Sequence, residues 1–240
     1  MSNNFKIIEI NDQLEMVDDV YINTVMGFGD AVDNKVPRSL RVEIEQIFTS
    51  VGDKSLFSLD FAHALKTDTL IKALSARPYN FLRAFDLSDL GPALDLSQDL
   101  GGVAHFLSES VASVDSIKLN PFAAKIAQVR CASKDNVVTI SEELSRLSLQ
   151  PTFYDLIVIG NLADLDLRHD ELEKYLTTLQ ASLSPRGVLV CSTLNEKRLS
   201  KWFNPKGMSN SSDINFRDLY CTPNSAKGGA ARIRESYLND

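Results

Sequence analysis

Apolar and polar positions alternate in blocks along the middle of the chain, and the blocks have the lengths of strands and helices. Short apolar runs at 93–96, 114–119, 137–140, 154–160 and 188–191 predict buried β-strands. Segments of helical apolar spacing separate most of these runs. This alternation predicts a doubly wound, mostly parallel α/β sheet, Rossmann-like, with helices on both faces.

Three helices between the strands carry clear signals. The first follows a pair of glycines and covers 103–107. The second begins at Asn120 and Pro121, an N-cap residue followed by proline at the first helical position, and continues through Val129. The third has leucines and a tyrosine at helical spacing within 172–183.

The pattern before residue 77 is mixed. Residues 40–51 predict a helix with imperfect apolar spacing, and residues 67–76 predict a second helix that Thr67 or Asp68 caps. Two loops are expected before them, at 27–30 and 34–37. We therefore expect a partly helical N-terminal extension.

Three parts follow from these patterns. Residues 1–76 form the extension, residues 77–203 the α/β domain, and residues 204–240 a C-terminal segment in which the strand pattern fades. With 240 residues, the chain has room for one α/β domain and its extensions, and a second full domain is not expected.

Charge and hydropathy exclude several classes of partner. The net charge of −7 argues against a broad surface for nucleic acid or anionic membranes, because both require clustered lysine and arginine. No apolar run reaches the roughly 18 residues of a membrane span.

Cysteine and histidine give no sign of a metal site. The three cysteines, Cys131, Cys191 and Cys221, are far apart and lack the spacing of metal ligands. The polar N-terminus lacks the apolar core of a signal peptide, so a cytoplasmic location is expected. The histidines also stand alone, at positions His63, His105 and His169.

The loop after the first strand of the α/β domain is the leading candidate for a site. A nucleotide cofactor needs close approach of the backbone there, which glycine allows, and a carboxylate at the end of the next strand to bind ribose. This chain has Ser97, Asp99 and Gly101 at the alternating positions of the loop, and Lys118 at the strand end.

Four motifs carry a resemblance to a known family. Residues 95–101 correspond to its acidic, glycine-rich loop, 118–121 to the end of its second strand, 154–160 to its fourth strand and 183–189 to its Leu-x-Pro-x-Gly turn. On these motifs the segment 77–203 resembles the class I S-adenosylmethionine-dependent methyltransferases, in particular bacterial domains associated with surface-polysaccharide synthesis.

The resemblance implies S-adenosylmethionine as cofactor. Two glycines of the loop and the carboxylate of strand two are replaced here, so impaired cofactor binding and a binding or scaffolding role with glycan-assembly proteins are expected. The alternative is an active methyltransferase acting on a sugar or another small acceptor. The positions that correspond to cofactor-binding residues are Asp95, Ser97, Asp99, Gly101, Lys118, Leu119, Glu142 and Asn161.

Each charged candidate also has a simpler interpretation. Asp95 is a ligand of the cofactor amine or a cap beside a helix. Asp99 suits a solvated turn, and Lys118 suits a solvated strand end more than a phosphate site. Glu142 and Glu143 are expected to be surface charges. The alternative for Glu142 is that it binds the adenine amine of the cofactor, as the resemblance implies. A catalytic base is not assigned, although three residues after the fourth strand lie within reach: Asn161, Asp164 and His169.

Other classes of enzyme lack their motifs. The chain has no Gly-x-Ser-x-Gly elbow of a serine hydrolase and no Gly-x-x-x-x-Gly-Lys-Ser/Thr phosphate loop. The glycine fingerprint of dinucleotide dehydrogenases is missing as well.

Overall fold

The computed structural model describes residues 14–17, 20–23, 36–55, 58–75, 77–143, 149–165, 167 and 169–192. Within these ranges one sheet has seven strands in the order β1-β2-β5-β4-β3-β6-β7. Six strands run parallel, and β1 pairs antiparallel with β2. The strands are β1 Leu14–Val17, β2 Val20–Asn23, β3 Pro92–Asp95, β4 Ser113–Lys118, β5 Val137–Ser141, β6 Tyr154–Ile159 and β7 Leu183–Cys191.

The predicted α/β sheet is confirmed. Strands β3 to β6 lie within one residue of their predicted bounds. Strand β7 begins at Leu183, five residues earlier than predicted, because Leu183 already pairs with Tyr154 before the register shifts. Gly187 lies in this irregular stretch. A Cβ there would come within 2.6 Å of the Tyr154 carbonyl oxygen, so the strand accepts only glycine at that point.

Helices connect the strands on both faces, as predicted. Asn120 is the N-cap of the second of the predicted helices, and its Oδ1 accepts a hydrogen bond from the Phe122 amide at 2.8 Å. Thr67 is the N-cap of the helix that begins at Asp68. The helices are α1 Arg38–Ser50, α2 Leu59–Ala64, α3 Asp68–Leu74, α4 Gly102–Ser108, α5 Pro121–Cys131 and α6 His169–Ser182, with 3₁₀ turns at Arg77–Ala84 and Leu162–Leu165.

The N-terminal region differs from the prediction in part. Helices α1 to α3 confirm its helical character, but strands β1 and β2 extend the sheet beside β5, which the apolar pattern did not indicate. The two strands have four residues each, and so short a segment carries little periodic signal.

The core is divided by the sheet into two sides. Leu172, Tyr175 and Leu179 of α6 cover one face, where they pack against Leu94 and Ile117. On the opposite face, α4 packs against the sheet beside α5. An outer layer of α1 to α3 then buries Ile44, Phe48, Phe61 and Leu74 against α5 and Leu100, the latter in the loop after β3.

Among the described helices none has the length and apolar character of a membrane span. Several sequence predictions lie outside the described residues. They are the loop at 27–30, most of the loop at 34–37, the C-terminal segment 204–240 and Cys221.

Candidate functional site

The strand order places the switch point of the sheet, where folds of this type form a crevice, beside the loop that follows β3. From β3 the chain adds β4 and then β5 on one side of the sheet, and it returns to add β6 and then β7 on the other side of β3. Ligands of such sheets bind at the carboxyl ends of the strands, at this reversal. The loop packs closely on the end of β6, because a Cβ on Gly160 would come within 2.8 Å of the Ser97 side chain.

A buried ion triad fills the base of this crevice. Lys118, at the end of β4, is completely buried. Its Nζ donates to Asp95 Oδ2 at 3.0 Å, to Asp99 Oδ1 at 2.8 Å and to the carbonyl oxygen of Ser97. An ammonium has three N–H donors, so every donor of Lys118 is used inside the protein.

Burial and charge act on the triad in opposite directions. Burial alone lowers the pKa of Lys118, but the charges of Asp95 and Asp99 outweigh it and hold that pKa above its ordinary value. Burial raises the pKa of Asp99, and the Lys118 ammonium more than reverses this, so the net shift is downward. Burial raises the pKa of Asp95 despite Lys118. The two carboxylates therefore stabilise the ammonium form of Lys118.

These contacts correct three sequence interpretations. Lys118 is buried rather than solvated, and it has no donor left for a phosphate. Asp99 does not lie in a solvated turn, because its side chain is 8% exposed and its Oδ2 accepts from the Val103 amide at 2.9 Å. Asp99 thus accepts a hydrogen bond from the first turn of α4, whose N-cap residue is Gly101. Asp95 is not the cap of this helix. Besides the hydrogen bond from Lys118, it accepts from the Ser97 amide and the Ser116 hydroxyl.

The glycine that remains in the loop has a geometric reason. Gly101 adopts φ +82°, a left-handed conformation that favours glycine. A Cβ at this position would also come within 2.5 Å of the Ala127 Cα. Gly101 thus allows the loop to turn into α4 while α5 packs directly against it.

Gln98 fills a second part of the crevice, and sequence reasoning missed it. Its Nε2 donates to the carbonyl oxygens of Leu96 at 3.0 Å and Ile117 at 3.3 Å. Its Oε1 accepts from the Leu119 amide at 2.8 Å. One carboxamide thereby joins the ends of β3 and β4.

The remaining predicted positions lie at the same edge of the sheet. Glu142, which follows β5, is buried, so it is not the surface charge that was expected. Its Oε1 accepts from the amide of Glu143, which is exposed as predicted. Asn161 follows β6 and donates to Asp164 Oδ1 at 2.9 Å. Parallel strands thus bring Leu119, Glu142 and Asn161 to one edge.

No group of histidine, cysteine and acidic residues suited to a metal ion occurs in the described part of the chain. His63 is exposed. His105 is buried, with Nδ1 3.8 Å from Glu109 Oε1, and burial lowers its pKa, which favours the neutral form.

A second buried polar contact lies on the other face of the sheet. Asp115, in β4, is 3% exposed, and its Oδ2 accepts from the Tyr154 hydroxyl at 2.7 Å. Burial raises the pKa of Asp115 to about 7, because the hydrogen bond from Tyr154 offsets only part of the loss of hydration. The sequence signal was available: Asp115 is the one charged residue before Lys118 in that strand.

An open cavity of about 580 Å³ lies away from the triad. It is lined by residues that precede β3 and by the end of α4, among them Arg83, Asp86, Phe106 and Glu109. These segments lead into the amino ends of β3 and β4. The crevice with the buried charges is at the opposite edge of the sheet.

Comparison with known proteins finds a likeness to solved structures and no match by sequence. No protein-family model matches the chain, and no curated protein matches it. Solved structures that resemble it include a SAM-dependent methyltransferase of Leishmania major, with TM-score 0.44 and 18% identity over 64% of this chain and 60% of that one. Another is phosphoethanolamine N-methyltransferase 1 of Haemonchus contortus, with phosphoethanolamine and S-adenosylhomocysteine bound, at TM-score 0.43 and 15% identity over 62% and 31%.

A third is a TehB-like SAM-dependent methyltransferase of Corynebacterium glutamicum, with TM-score 0.41 and 21% identity over 54% of this chain and 70% of that one. This chain spans less than two thirds of the length of the first two proteins. Values of this size carry no argument about this chain, so its fold and its site are interpreted from its own residues.

Proposed function

We propose that this chain is a methyltransferase-like domain with impaired binding of S-adenosylmethionine, serving as a binding or scaffolding module in surface-glycan biosynthesis. The observation that supports it is the buried triad of Lys118, Asp95 and Asp99. Glycan-assembly proteins are its proposed partners, and the cytoplasm its proposed location, from the resemblance and the dispersed cysteines.

Hydrogen bonding explains why the triad opposes the cofactor. Ribose hydroxyls need acceptors at the end of β4, and an ammonium can only donate. The two carboxylates nearby already hold Lys118. Withdrawing one of them leaves buried charge unpaired, at a cost of about 3–5 kcal/mol, which weakens affinity by roughly 10²- to 10⁴-fold.

Calorimetric titration of the unaltered protein with S-adenosylmethionine and S-adenosylhomocysteine tests this proposal. We expect no heat of binding at micromolar ligand, and micromolar affinity for either compound would overturn the proposal.

A restored site provides the matched test. The triple variant Lys118→Glu, Ser97→Gly, Asp99→Gly supplies a carboxylate at the end of β4 and two glycines in the loop. Its control carries Lys118→Gln in place of Lys118→Glu. Binding by the first variant but not by the control, with both folded by circular dichroism, attributes the impairment to charge. If neither variant binds the cofactor, the impairment is attributed to the shape of the crevice.

The glycan role needs a test in the source organism. Deletion of the gene is expected to reduce the surface polysaccharide. Restoration by a chain with Lys118→Met, Asp95→Asn and Asp99→Asn would support a scaffolding role that needs no cofactor. Unchanged polysaccharide after deletion would contradict the role.

The alternative, an active methyltransferase acting on a sugar or other small acceptor, is favoured by one observation. Glu142 is buried at the carboxyl end of β5, next to the crevice, where the resemblance places the acceptor of the adenine amine. Under this alternative, S-adenosylmethionine binds the unaltered protein and Glu142→Gln weakens that binding.

A further inference from the structure

A buried guanidinium lies where the N-terminal helices meet the loop after β3. Arg130, in α5, is 2% exposed and forms no ion pair among the described residues. Its Nε has no hydrogen-bond partner there either. A buried charge is costly unless other groups compensate it, so the remaining contacts of Arg130 must hold it in place.

Two carbonyl oxygens from separate segments bind the two ends of the guanidinium. Nη1 donates to the carbonyl oxygen of Leu100, in the loop after β3, at 3.4 Å, and Nη2 donates to that of Leu74, the last residue of α3, at 3.1 Å. The last carbonyls of a helix have no partner within it, so Arg130 satisfies a group that α3 leaves free. One side chain thereby ties the end of α3 to the loop.

Two aromatic rings cover the same guanidinium. The centroid of the Phe61 ring, in α2, lies 4.9 Å from Arg130 Cζ, and that of the Phe48 ring, in α1, lies 5.9 Å from it. The electron-rich faces of such rings attract a cation. Each of the three N-terminal helices therefore contributes one contact to Arg130.

The contact with the loop is made next to the ion triad. Leu100 directly follows Asp99, whose carboxylate accepts from Lys118 and from the Val103 amide. With both carboxylates ionised the triad has one negative charge in excess, and a cation beside the loop opposes that excess. The position of the N-terminal helices and the closure of the loop on Lys118 thus meet at one side chain.

We infer that Arg130 couples the N-terminal helical layer, α1 to α3, to the loop after β3, so that docking of the layer holds the triad closed and opening of the layer releases it. The inference rests on the proposed function in one respect, because the closed triad is what opposes the cofactor. It goes further in assigning control of the triad to the N-terminal region. Arg130 is a positioning residue, since it acts through the loop.

Hydrogen exchange of Arg130→Lys tests the coupling. Lysine keeps the charge but lacks the planar fork that bridges two carbonyls. We expect the amides of Val103, which binds Asp99, and of Ser75, which closes the last turn of α3, to exchange about tenfold faster, while the amides of β6 keep their rates. Faster exchange throughout the sheet, or at only one of the two amides, would overturn the inference.

The control is a second contact between α5 and the helical layer. Lys125, on the same helix, forms an exposed ion pair with Glu45 of α1 at 3.7 Å. Lys125→Met should leave the exchange of both amides unchanged, because this pair does not reach the loop. An effect equal to that of Arg130→Lys would show that the coupling does not depend on the guanidinium, and would overturn the inference.

Phe61→Leu keeps the inference testable if Arg130→Lys does not fold. It retains an apolar side chain but removes the ring nearest the guanidinium, and it lies in α2 rather than in the loop. We expect the Val103 amide to exchange about threefold faster in this variant, and an unchanged rate would overturn the inference.

The coupling and the proposed function fail separately. None of these measurements uses S-adenosylmethionine. Micromolar binding of that compound by the unaltered protein would remove the proposed function and leave the coupling standing. Unchanged exchange of the Val103 amide would remove the coupling and leave the proposed function standing.

Discussion

Strand β4 carries two buried charged residues, and their surroundings are opposite. Lys118 faces the side of α4 and α5, where two carboxylates and a carbonyl oxygen accept hydrogen bonds from its three N–H groups. Asp115 faces the side of α6, where Tyr154 is its hydrogen-bond partner among the described residues. A buried charge is stabilised by a charged partner, whereas burial without one favours the neutral form. We call the face with Lys118 and its two carboxylates the compensated face, and the face with Asp115, which has no charged partner among the described residues, the uncompensated face.

The two faces also predict different pH dependence. The raised pKa of Lys118 gives stability that is fully present below about pH 10.5 and is lost as pH rises through the folded pKa. The raised pKa of Asp115 affects stability at lower pH, because the folded protein holds the proton of Asp115 more tightly than the unfolded chain does. Its stability is fully present below about pH 3.8 and is lost as pH rises toward 7.

The largest effect is expected at the compensated face. Lys118→Met leaves Asp95 and Asp99 buried without their cation and should cost about 3–5 kcal/mol in the free energy of unfolding by urea at pH 7. Adding Asp95→Asn and Asp99→Asn to the same chain removes all three charges, and stability should return to within about 1 kcal/mol of the original. A single variant as stable as the unaltered protein would show that the triad is not a paired unit.

The second effect concerns the pH window of Asp115. The unaltered protein should lose on the order of 4 kcal/mol of stability between pH 4 and pH 7.5 through this group, and Asp115→Asn should remove that loss. Urea unfolding at several pH values measures it. Glu143→Gln, at an exposed carboxylate, is the control and should keep the original slope. If the free energy of unfolding of Asp115→Asn depended on pH as in the unaltered protein, Asp115 would not be the source of the loss.

The smallest effect is expected from the hydroxyl that partners Asp115. Tyr154→Phe should cost about 1–3 kcal/mol at pH 7.5, and less at pH 5, where Asp115 is protonated. Tyr175→Phe is the matched control, since the Tyr175 hydroxyl is buried without a hydrogen-bond partner in the described residues, and its removal should cost nothing measurable. Equal costs of the two variants would show that the contact between Tyr154 and Asp115 contributes no net stability.

Much of the fold was accessible from local pattern. Strands β3 to β6 were predicted to within one residue, because each is a short apolar run bounded by turn residues. Asn120 was identified as a cap, and Thr67 was one of two candidates with Asp68, because capping depends on neighbours two or three positions away. Strands β1 and β2 were missed, because their assignment depends on pairing with β5, far along the chain.

The sequence predicted where the candidate residues lie in the sheet, but it was wrong about the burial of their side chains. Its residues were expected at the carboxyl ends of the strands, and the structure brings them to that edge. The sequence interpretation left Lys118, Asp99 and Glu142 in solvent, whereas the fold buries all three side chains. The carboxylates that pair with Lys118 lie some twenty positions away along the chain, so sequence spacing could not identify them.

The sequence by itself determined strands β3 to β6, the helices between the strands, the cap at Asn120 and the edge where the charged residues meet. These follow from local propensity and from the rule that parallel strands share an end. The tertiary structure alone decided which charges are neutralised. Whether Lys118 binds a ligand or holds the loop depends on the few ångströms that separate its Nζ from Asp95 and Asp99. Those distances are set by the pairing of β3 with β4 and by the packing of Gly101 on α5.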